Sequence, residues 1–422
     1  MKAQQPLLIP TTSVNNHHAA PFTLQLAEAR TVDSIRKLGP ISRTDIANIT
    51  GYSRSKITAV VNHLTRLGIL EEIGSGEASG GRRPRVLNFK AEFGYVVGVD
   101  MGATSVDIAI ANINGQIVDR VGAAIDVREG PTLILGLIRK MVLERLEALN
   151  IHVDKIYAFG IGVPAPVEFS TGLLIAPPIM PGWEAYPIRD FFQETFGKAI
   201  AIVDNDVNVM ALGELRAGAG VNVENFIYVK IGTGIGSGIV CRGEIYRGAD
   251  GCAGDIGHIC ADQNGPVCHC GNVGCLEAIA AGPPIAERAM QAAREGRSVI
   301  LAKLMDIQGS KLTAVDVGRA AAEGDRVANE IIQDSGRIIG EVLASLVNFF
   351  NPSLILIGGG VNHIGHQFLA SIRRGILHRS LPLSTRHLRV DTSPMGTSAG
   401  IIGAIALAME HVFVVEQDSA AE

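Results

Sequence analysis

Long hydrophobic runs and cysteines are both scarce in this 422-residue sequence. No apolar run approaches the roughly 20 residues that a membrane-spanning helix needs. The apolar run before Pro10 is too short for the core of a signal peptide. Six cysteines are too few for a disulfide scaffold in a chain of this length. We therefore expect a cytoplasmic protein that has no membrane partner.

Charge is unevenly distributed along the chain, although the net charge is only −5. Residues 1–90 hold twelve Lys or Arg and six Asp or Glu residues, whereas the remainder holds 25 basic and 36 acidic residues. A small basic unit thus precedes a large acidic body. This asymmetry indicates that the N-terminal part binds nucleic acid, with a chance imbalance as the alternative.

The basic unit has the pattern of a winged helix-turn-helix domain over residues 22–91. Residues 1–21 lack periodicity and are predicted to form a flexible tail. Apolar residues at helical spacing predict a helix from Phe22 to Gly39. Ser42 and Ser53 are N-caps of two further short helices that are joined by a tight turn. Two predicted strands then flank a basic, glycine-rich loop, which would form the wing.

The second helix of this pair would present its N-terminal residues to the major groove of DNA. The predicted DNA-binding residues at the start of this helix and in the wing are Ser53, Arg54, Ser55, Lys56, Thr58, Arg82, Arg83 and Arg85. A solvated basic loop is the alternative for the wing arginines, and a helix-turn-helix that binds another protein is a further alternative. Because one such domain contacts only a short stretch of DNA, we expect a homodimer or homotetramer on operator DNA.

Beyond Lys90, apolar strands alternate with helices, which predicts an α/β architecture for residues 92–422. We expect two similar halves with a cleft between them. The first half would hold residues from about 92 to 204 plus the C-terminal helix, and the second residues from about 205 to 395.

Three turns that follow strands offer donors to phosphate groups. In the first, a carboxylate at Asp100 can hold a magnesium-bound phosphate through water, beside Gly102 and Thr104. The second precedes more strand rather than a helix, so it is not a dinucleotide fingerprint. The candidate nucleotide-binding residues of the other two turns are Gly232, Thr233, Gly234, Gly359 and Gly360.

Asn205 and Asp206 stand at a predicted strand-to-helix junction. In one interpretation Asp206 is a helix cap. In the other, Asp206 is a general base that takes a proton from a sugar hydroxyl, and Asn205 fixes that hydroxyl by hydrogen bonds.

The segment 257–278 carries the pattern of a metal site. Cys268, Cys270 and Cys275 follow His258, and three thiolates with one imidazole make a closed tetrahedral set for a structural Zn²⁺. A disulfide pair is the alternative. The three remaining cysteines, Cys241, Cys252 and Cys260, are predicted to be buried thiols.

These motifs together resemble the ROK family (repressors, open reading frames and sugar kinases). The stretch from Ile231 through "GTGIGSGI" to the Gly-His pair at 257–258 matches the signature of the family, and 268–277 matches its zinc motif. The resemblance covers about 92–411. With the helix-turn-helix in front, the whole chain resembles the transcriptional repressors of the xylose and N-acetylglucosamine type.

The resemblance implies two actin-like (ribonuclease-H-like) lobes around a sugar cleft. It implies that Asn205 binds sugar, that Asp206 is the catalytic residue of the kinases, and that Glu277 binds sugar. His258 would both ligate zinc and contact the sugar. Asp255 stands where the family has a Glu, and it is taken as a further sugar-binding residue.

The sequence departs from the kinase pattern at the first phosphate turn. Kinases of the family usually read Asp-x-Gly-Gly-Thr-Lys there, whereas this chain has Ala103 and Ser105, and it has Ile179 where kinases often have Asn. We therefore predict a sugar-responsive DNA-binding regulator, a repressor released by sugar. The alternative is a hexose kinase that uses Mg-ATP, with Asp206 as the catalytic base.

Overall fold

The computed structural model describes residues 21–75, 85–307, 309, 311–360 and 364–415. The chain divides into two compact units. The first comprises residues 1–163, 167–204 and 404–422, and the second comprises residues 164–166 and 205–403. The predicted tail before residue 21 and the wing arginines Arg82 and Arg83 lie outside the described residues.

Helices and strands alternate along most of the chain. The helices are α1 (Leu26–Leu38), α2 (Arg43–Thr50), α3 (Arg54–Arg66), α4 (Pro131–Ala148), α5 (Ile188–Phe196), α6 (Asp206–Ala217), α7 (Leu276–Ala280), α8 (Gly282–Arg294), α9 (Val299–Ile307), α10 (Ala314–Ala322), α11 (Arg326–Phe350), α12 (His366–Arg379), α13 (Pro382–Thr385) and α14 (Ser398–Val412). The strands are β1 (Phe22–Leu24), β2 (Ile41–Ser42), β3 (Leu70–Ser75), β4 (Arg85–Phe89), β5 (Tyr95–Met101), β6 (Ser105–Asn112), β7 (Ile117–Ala124), β8 (Ile156–Val163), β9 (Val167–Glu168), β10 (Leu173–Leu174), β11 (Ile200–Asn205), β12 (Phe226–Ile231), β13 (Ile235–Cys241), β14 (Glu244–Tyr246), β15 (Leu354–Gly358), β16 (Arg389–Thr392) and β17 (Phe413–Val415).

Helices α2 and α3 begin where their capping residues predict. Ser42 Oγ accepts a hydrogen bond from the Asp45 amide at 3.2 Å, and Ser53 Oγ accepts one from the Lys56 amide at 3.2 Å. These bonds satisfy donors that the first turn of a helix leaves unpaired. Gly51 ends α2 in the left-handed conformation with φ of 74°. The two predicted N-caps are confirmed.

The first helix starts later than its periodicity predicts. Phe22 belongs to strand β1, which pairs in parallel with β17, so that Phe22 lies opposite Phe413. Helix α1 then runs over Leu26–Leu38 and is followed by Gly39. The prediction of a helix from Phe22 is therefore wrong by four residues, because residues 22–24 instead form a strand that pairs with β17.

Helices α1, α2 and α3 pack together beside a small sheet of three strands in the order β2-β4-β3. Both strand pairs are antiparallel. The apolar stripe of α3 is buried, including Ile57 and Leu64, together with Ile46 of α2. The stripe faces inward because its members recur at helical spacing.

The first unit also contains a five-stranded sheet in the order β11-β8-β5-β6-β7. Strand β5 is antiparallel to β6 and parallel to β8. Helix α14 lies close to this sheet at Gly160, where a side chain would meet the carbonyl oxygen of Ala404 at 2.0 Å. Glycine is needed there because the helix backbone occupies the space of a Cβ atom.

The second unit is built on a five-stranded sheet of the same plan, in the order β14-β13-β12-β15-β16. Strand β12 is antiparallel to β13 and parallel to β15. Helix α11 and its neighbours bury the apolar core of this unit, which includes Ile227, Ile339 and Ile355. The mixed α/β character that the sequence predicts is confirmed in both units.

None of the helices in the described part of the chain is both long and apolar enough to cross a membrane.

Candidate functional site

The predicted metal ligands come together in the second unit. His258, Cys268, Cys270 and Cys275 each offer one ligand atom, and these four atoms lie within 4.8 Å of one another. Two of the pairs are close: Cys268 Sγ lies 3.7 Å from His258 Nδ1, and Cys270 Sγ lies 3.6 Å from Cys275 Sγ. This cluster can hold a metal ion.

Backbone hydrogen bonds shape the loop that carries these thiols. The Cys268 amide donates to the Asn272 carbonyl at 2.7 Å, and the Gly271 amide donates to the Cys268 carbonyl at 2.9 Å. Gly271 has φ of 89°, and Gly274 has φ of 73° with Asp262 backbone in the space of a Cβ atom. The glycines therefore let the chain fold back tightly enough to bring the cysteines together.

The local environment gives the thiols different proton affinities. Burial raises the pKa of Cys275 to about 12, whereas a backbone hydrogen bond from Asn272 lowers the pKa of Cys270 to about 7. Burial also raises the pKa of Cys268. A metal ion would have to displace the protons of the two buried thiols, so metal binding at this cluster is opposed by acid.

The three cysteines outside the cluster do not all have the predicted burial. Cys241 is half-buried, but Cys252 and Cys260 are exposed. The prediction of buried thiols is thus wrong for Cys252 and Cys260. Both lie in the long connection between β14 and α7, where short turns replace regular elements, and this leaves their side chains at the surface.

Glu277 connects the metal-ligand segment to the glycine-rich turn after β12. Its Oε2 accepts a hydrogen bond from the Ile235 amide at 2.9 Å. A Cβ atom at Gly234 would lie 2.3 Å from the same oxygen. Because Cys275 is the residue before α7 and Glu277 is the second residue of that helix, a metal bound at Cys275 would fix the position of this carboxylate.

Asn205 and Asp206 lie at the start of α6, as predicted. Asn205 Oδ1 accepts a hydrogen bond from the Val207 amide at 2.9 Å, and its Nδ2 donates to the Ala165 carbonyl at 3.1 Å. Asn205, rather than Asp206, is therefore the N-cap. Asp206 is the first helical residue, is almost completely buried, and accepts a hydrogen bond from Lys230 Nζ at its Oδ2 atom.

Asp206 and Glu277 are both tied to one end of the β12–β13 hairpin. Lys230 lies opposite Gly236, and Ile231 lies opposite Ile235, at the last two pairs before the turn. Asp206 accepts its hydrogen bond from the Lys230 side chain, and Glu277 accepts its bond from the Ile235 backbone amide. Both carboxylates are thus held at the same end of the hairpin, and carboxylate oxygens can accept hydrogen bonds from sugar hydroxyls.

Asp255 is the residue before the short 3₁₀ helix Ile256–His258, which ends at His258. Its Oδ1 is 4.0 Å from His258 Nε2, on the opposite ring nitrogen from the one near Cys268. Burial raises the pKa of Asp255, and the charge of His258 opposes this rise. The pair can orient the imidazole ring, as carboxylates do for metal-bound histidines.

Two of the three predicted phosphate turns meet in the second unit. The Gly232 amide donates to the Gly234 carbonyl at 2.9 Å, which closes the turn around Thr233. Gly359 has φ of 91°, and a Cβ atom there would lie 2.4 Å from the Ile231 carbonyl oxygen. A Cβ atom at Gly232 would have Gly360 as its neighbour, at 3.9 Å. The glycine backbones of both turns are thus adjacent.

The third turn, between β5 and β6, belongs to the first unit. Asp100 pairs with Asp107 across the two strands. The Gly102 amide donates to the Ser105 carbonyl at 2.8 Å, and the Thr104 carbonyl accepts from the Ile125 amide at 3.1 Å. The amide of Gly102 is consequently already used within the turn.

The predicted DNA-binding residues of α3 lie at the start of the helix. Arg54, Ser55, Lys56 and Thr58 are exposed, whereas Ile57 between them is fully buried. Thr58 Oγ1 donates to the Arg54 carbonyl at 2.8 Å. The helix therefore presents a polar, basic N-terminal turn to solvent while its apolar stripe holds it in the domain.

Arg85 lies at the start of β4 and is engaged in an ion pair. Its Nη1 is 2.6 Å from Glu72 Oε2, and Arg43 Nη2 is 2.8 Å from Glu72 Oε1. The Arg85 side chain remains 72% exposed. The hydrogen bond from Arg85 and the charge of Arg43 hold the pKa of Glu72 below its ordinary value.

Two residues of these sites, Lys230 and Glu72, are not among those that the sequence predicts. Lys230 stands in the otherwise apolar strand "FIYVKI", and this isolated charge is the signal that could have identified it. Glu72 stands in "LEEIGS" next to another acid, and nothing in that pattern distinguishes it.

Comparison with known proteins agrees with these features. The profile of the ROK family matches residues 96–411. The xylose repressor of Caldicellulosiruptor bescii is 30% identical over 375 residues, which is 88% of this chain and 92% of that protein. The glucokinase of Halalkalibacterium halodurans is 35% identical over 310 residues, 73% of this chain and 93% of that protein.

A solved structure is similar over nearly the whole chain. It is a ROK family transcriptional regulator, a homologue of the Escherichia coli MLC protein, with a TM-score of 0.79 and 27% identity. The match covers 92% of this chain and 95% of that one. By its sequence and by its fold, this chain belongs to the ROK family.

Proposed function

We propose that this protein is a sugar-responsive transcriptional regulator that represses its target genes until a sugar binds. The observation that carries this proposal is that one chain contains both a candidate DNA-binding domain and a ROK body. An N-terminal domain exposes the basic start of α3, and a ROK body follows it. The xylose repressor matches 88% of the chain, whereas the glucokinase matches only 73%.

The N-terminal part has the elements of a winged helix-turn-helix. Helices α2 and α3 are joined by a turn at Gly51, and strands β3 and β4 follow them and pair with each other. In this proposal α3 enters the major groove with Arg54 and Lys56 leading, and the segment before Arg85 is the wing. DNA is a better partner than another protein because residues 1–90 are basic whereas the rest of the chain is acidic.

The sugar would bind to the polar groups gathered at the β12–β13 hairpin and the metal-ligand segment. Asn205 and Asp206 would hold one part of the sugar, and Glu277, His258 and Asp255 another. The two acidic groups at the hairpin are each held by a partner: Asp206 by Lys230 and Glu277 by the Ile235 amide. Such preorganisation is what a site needs to distinguish hydroxyl positions.

The metal would be a structural zinc ion. Three thiolates and one imidazole are a zinc donor set, and ligands around tetrahedral zinc are about 3.6–3.8 Å apart. The observed separations of 3.7 Å and 3.6 Å fit that geometry. Zinc would fix His258 and, through Cys275, the start of α7 that carries Glu277. It would supply rigidity and no open position for chemistry.

The active hexose kinase is the second candidate, and it rests on a specific observation. Asp206 and Asp100 are both present, and the body is 35% identical to a glucokinase. Against it stand Ala103 and Ser105 in the first phosphate turn, which lacks the usual basic side chain. In that case Asp206 would take the proton of the sugar hydroxyl and Mg-ATP would be the phosphate donor.

The remaining elements of the proposal concern assembly and location. A regulator that reads DNA with one small domain per chain gains affinity by symmetric pairing, so we propose a homodimer or homotetramer on a palindromic operator. We also propose that the protein acts in the cytoplasm, where its operator is.

A binding selection tests the proposal. Duplexes selected by the full chain from a random-sequence pool would be titrated with and without D-xylose, D-glucose and N-acetyl-D-glucosamine. We expect one sugar to weaken duplex binding by about 5- to 150-fold, the usual range of such coupling. A chain that lacks residues 1–90 should lose duplex binding and keep sugar binding. If no duplex is enriched, the regulator proposal is wrong.

A further inference from the structure

Lys230 is an unexpected residue at its position. It is the charged member of β12, whose other five residues are apolar or aromatic and fully buried. The side chain of Lys230 is 24% exposed, and that of its partner Asp206 is 4% exposed. Lysine is rarely placed so deep without a partner, because removing the ammonium from water is costly.

Glycines explain how Lys230 and Asp206 meet. Lys230 lies between Gly236 on β13 and Gly358 on β15, so its neighbours on both sides of the sheet lack side chains. Helix α6 lies almost directly on β13, where a Cβ atom at Gly238 would meet the Val207 carbonyl oxygen at 2.7 Å. The close approach brings the first residue of α6, Asp206, over Lys230.

A purely structural role does not account for this pair. Two partly buried charges lose most of their hydration, and well-packed apolar residues of similar size often stabilise a protein as much or more. The neighbouring positions of β12 are filled by such apolar residues. The charge at 230 is therefore best explained by what it does to Asp206.

We propose that Lys230 is a positioning residue for sugar recognition that acts through Asp206. By bonding Oδ2, its ammonium fixes the rotation of the carboxylate, so that Oδ1 is presented to a sugar hydroxyl as an acceptor. The inference rests on the proposed sugar site.

A double-mutant cycle tests this inference in the full-length, zinc-loaded chain. The variants are K230M, which replaces the ammonium but keeps an unbranched side chain of nearly the same length, D206N, and D206N/K230M. Calorimetry would give the Kd of whichever of D-xylose, D-glucose and N-acetyl-D-glucosamine the natural chain binds most tightly. Thermal unfolding and zinc content would be measured in parallel, since a merely structural role changes those without producing coupling in the Kd values.

We expect K230M to weaken sugar binding by about tenfold, the effect of one charge-assisted hydrogen bond. In the D206N background, K230M should change the Kd by less than about twofold, because Lys230 would have no carboxylate left to position. If K230M alone does not fold, a loss of affinity in D206N/K230M relative to D206N still overturns the inference, since both variants avoid a buried carboxylate without its partner.

Three results would overturn the inference. A further loss of affinity from K230M in the D206N background means that Lys230 touches the sugar itself. An unchanged Kd in K230M alone means that Asp206 needs no positioning. A sugar Kd that is unchanged in D206N removes Asp206 from the sugar site, and this result counts against the proposed site as well, whereas the first two leave it standing.

Discussion

The Glu277 carboxylate accepts a hydrogen bond from the Ile235 amide at 2.9 Å, and this bond joins the metal-ligand segment to the glycine-rich turn. Gly234, beside it, leaves the space that the carboxylate occupies: a Cβ atom there would lie 2.3 Å from Oε2. The turn and the proposed sugar ligand are therefore sterically coupled, and this coupling can be tested with two glycines of the same turn.

Gly234→Ala should weaken sugar binding by about fivefold or more, because the new methyl group must displace Glu277 from its hydrogen bond, and such a bond contributes about 1 kcal/mol. Gly232→Ala is the matched control, since its nearest neighbour is 3.9 Å away at Gly360. Calorimetric titration of both variants with the best-bound sugar measures the difference. Equal sugar affinities in the two variants would show that Glu277 does not bind the sugar.

The cysteine cluster predicts about one zinc ion per chain. Cys270→Ser should lose most of the metal and melt several degrees below the natural chain, because a structural metal contributes its binding energy to folding. Cys270 is the preferred site of mutation because it is exposed, so its own packing contributes little. Metal analysis by mass spectrometry and thermal unfolding give the readouts.

Cys252→Ser serves as the control for this variant, since Cys252 is also exposed but lies outside the cluster. Zinc content should fall as the pH is lowered, because protons compete for the thiolates, and burial raises the pKa of Cys275 to about 12. Full retention of zinc by Cys270→Ser would contradict the four-ligand site.

Local signals in the sequence were sufficient for much of the fold and of the metal site. The N-caps Ser42 and Ser53 act through bonds to residues three positions away, and the thiols of Cys268, Cys270 and Cys275 are placed by glycine turns within the same segment. In such cases the physical cause lies in neighbouring residues. A short stretch of sequence is therefore sufficient to predict such a cap or turn.

Features that depend on distant partners could not be predicted in this way. The three-residue strand at Phe22 exists because β17 pairs with it from nearly 400 residues away. Lys230 meets Asp206 only because α6 lies on a glycine-containing strand.

Phosphoryl transfer should be negligible in this protein. Ala103 and Ser105 remove the basic group of the first phosphate turn, and Lys230 occupies one oxygen of the Asp206 carboxylate. Coupled measurement of ADP release with a panel of hexoses and pentoses should give rates at the level of the sugar-free control. Sugar-dependent turnover that disappears in Asp206→Asn would instead establish the kinase.

Glu72 should restrain DNA binding, because it is bonded to Arg85, a predicted DNA-binding residue, and to Arg43 of the neighbouring helix α2. The hydrogen bond from Arg85 holds the pKa of Glu72 below its ordinary value, so the carboxylate is ionised at neutral pH. Its ion pairs thus stabilise the domain there, and this contribution is lost only as the pH falls through the lowered pKa. Glu72→Gln at pH 7 removes a negative charge and releases both arginines.

We expect Glu72→Gln to raise affinity for the selected duplex by about threefold or more and to steepen its salt dependence by about one counterion. Glu71→Gln removes the same charge one residue away in β3 and serves as the matched control, because it leaves the ion pairs of Glu72 in place. Titrations at several salt concentrations separate the two effects. An equal gain in both variants would show that net charge alone is responsible, and a loss in Glu72→Gln would show that Arg43 and Arg85 must be held by Glu72 to contact DNA.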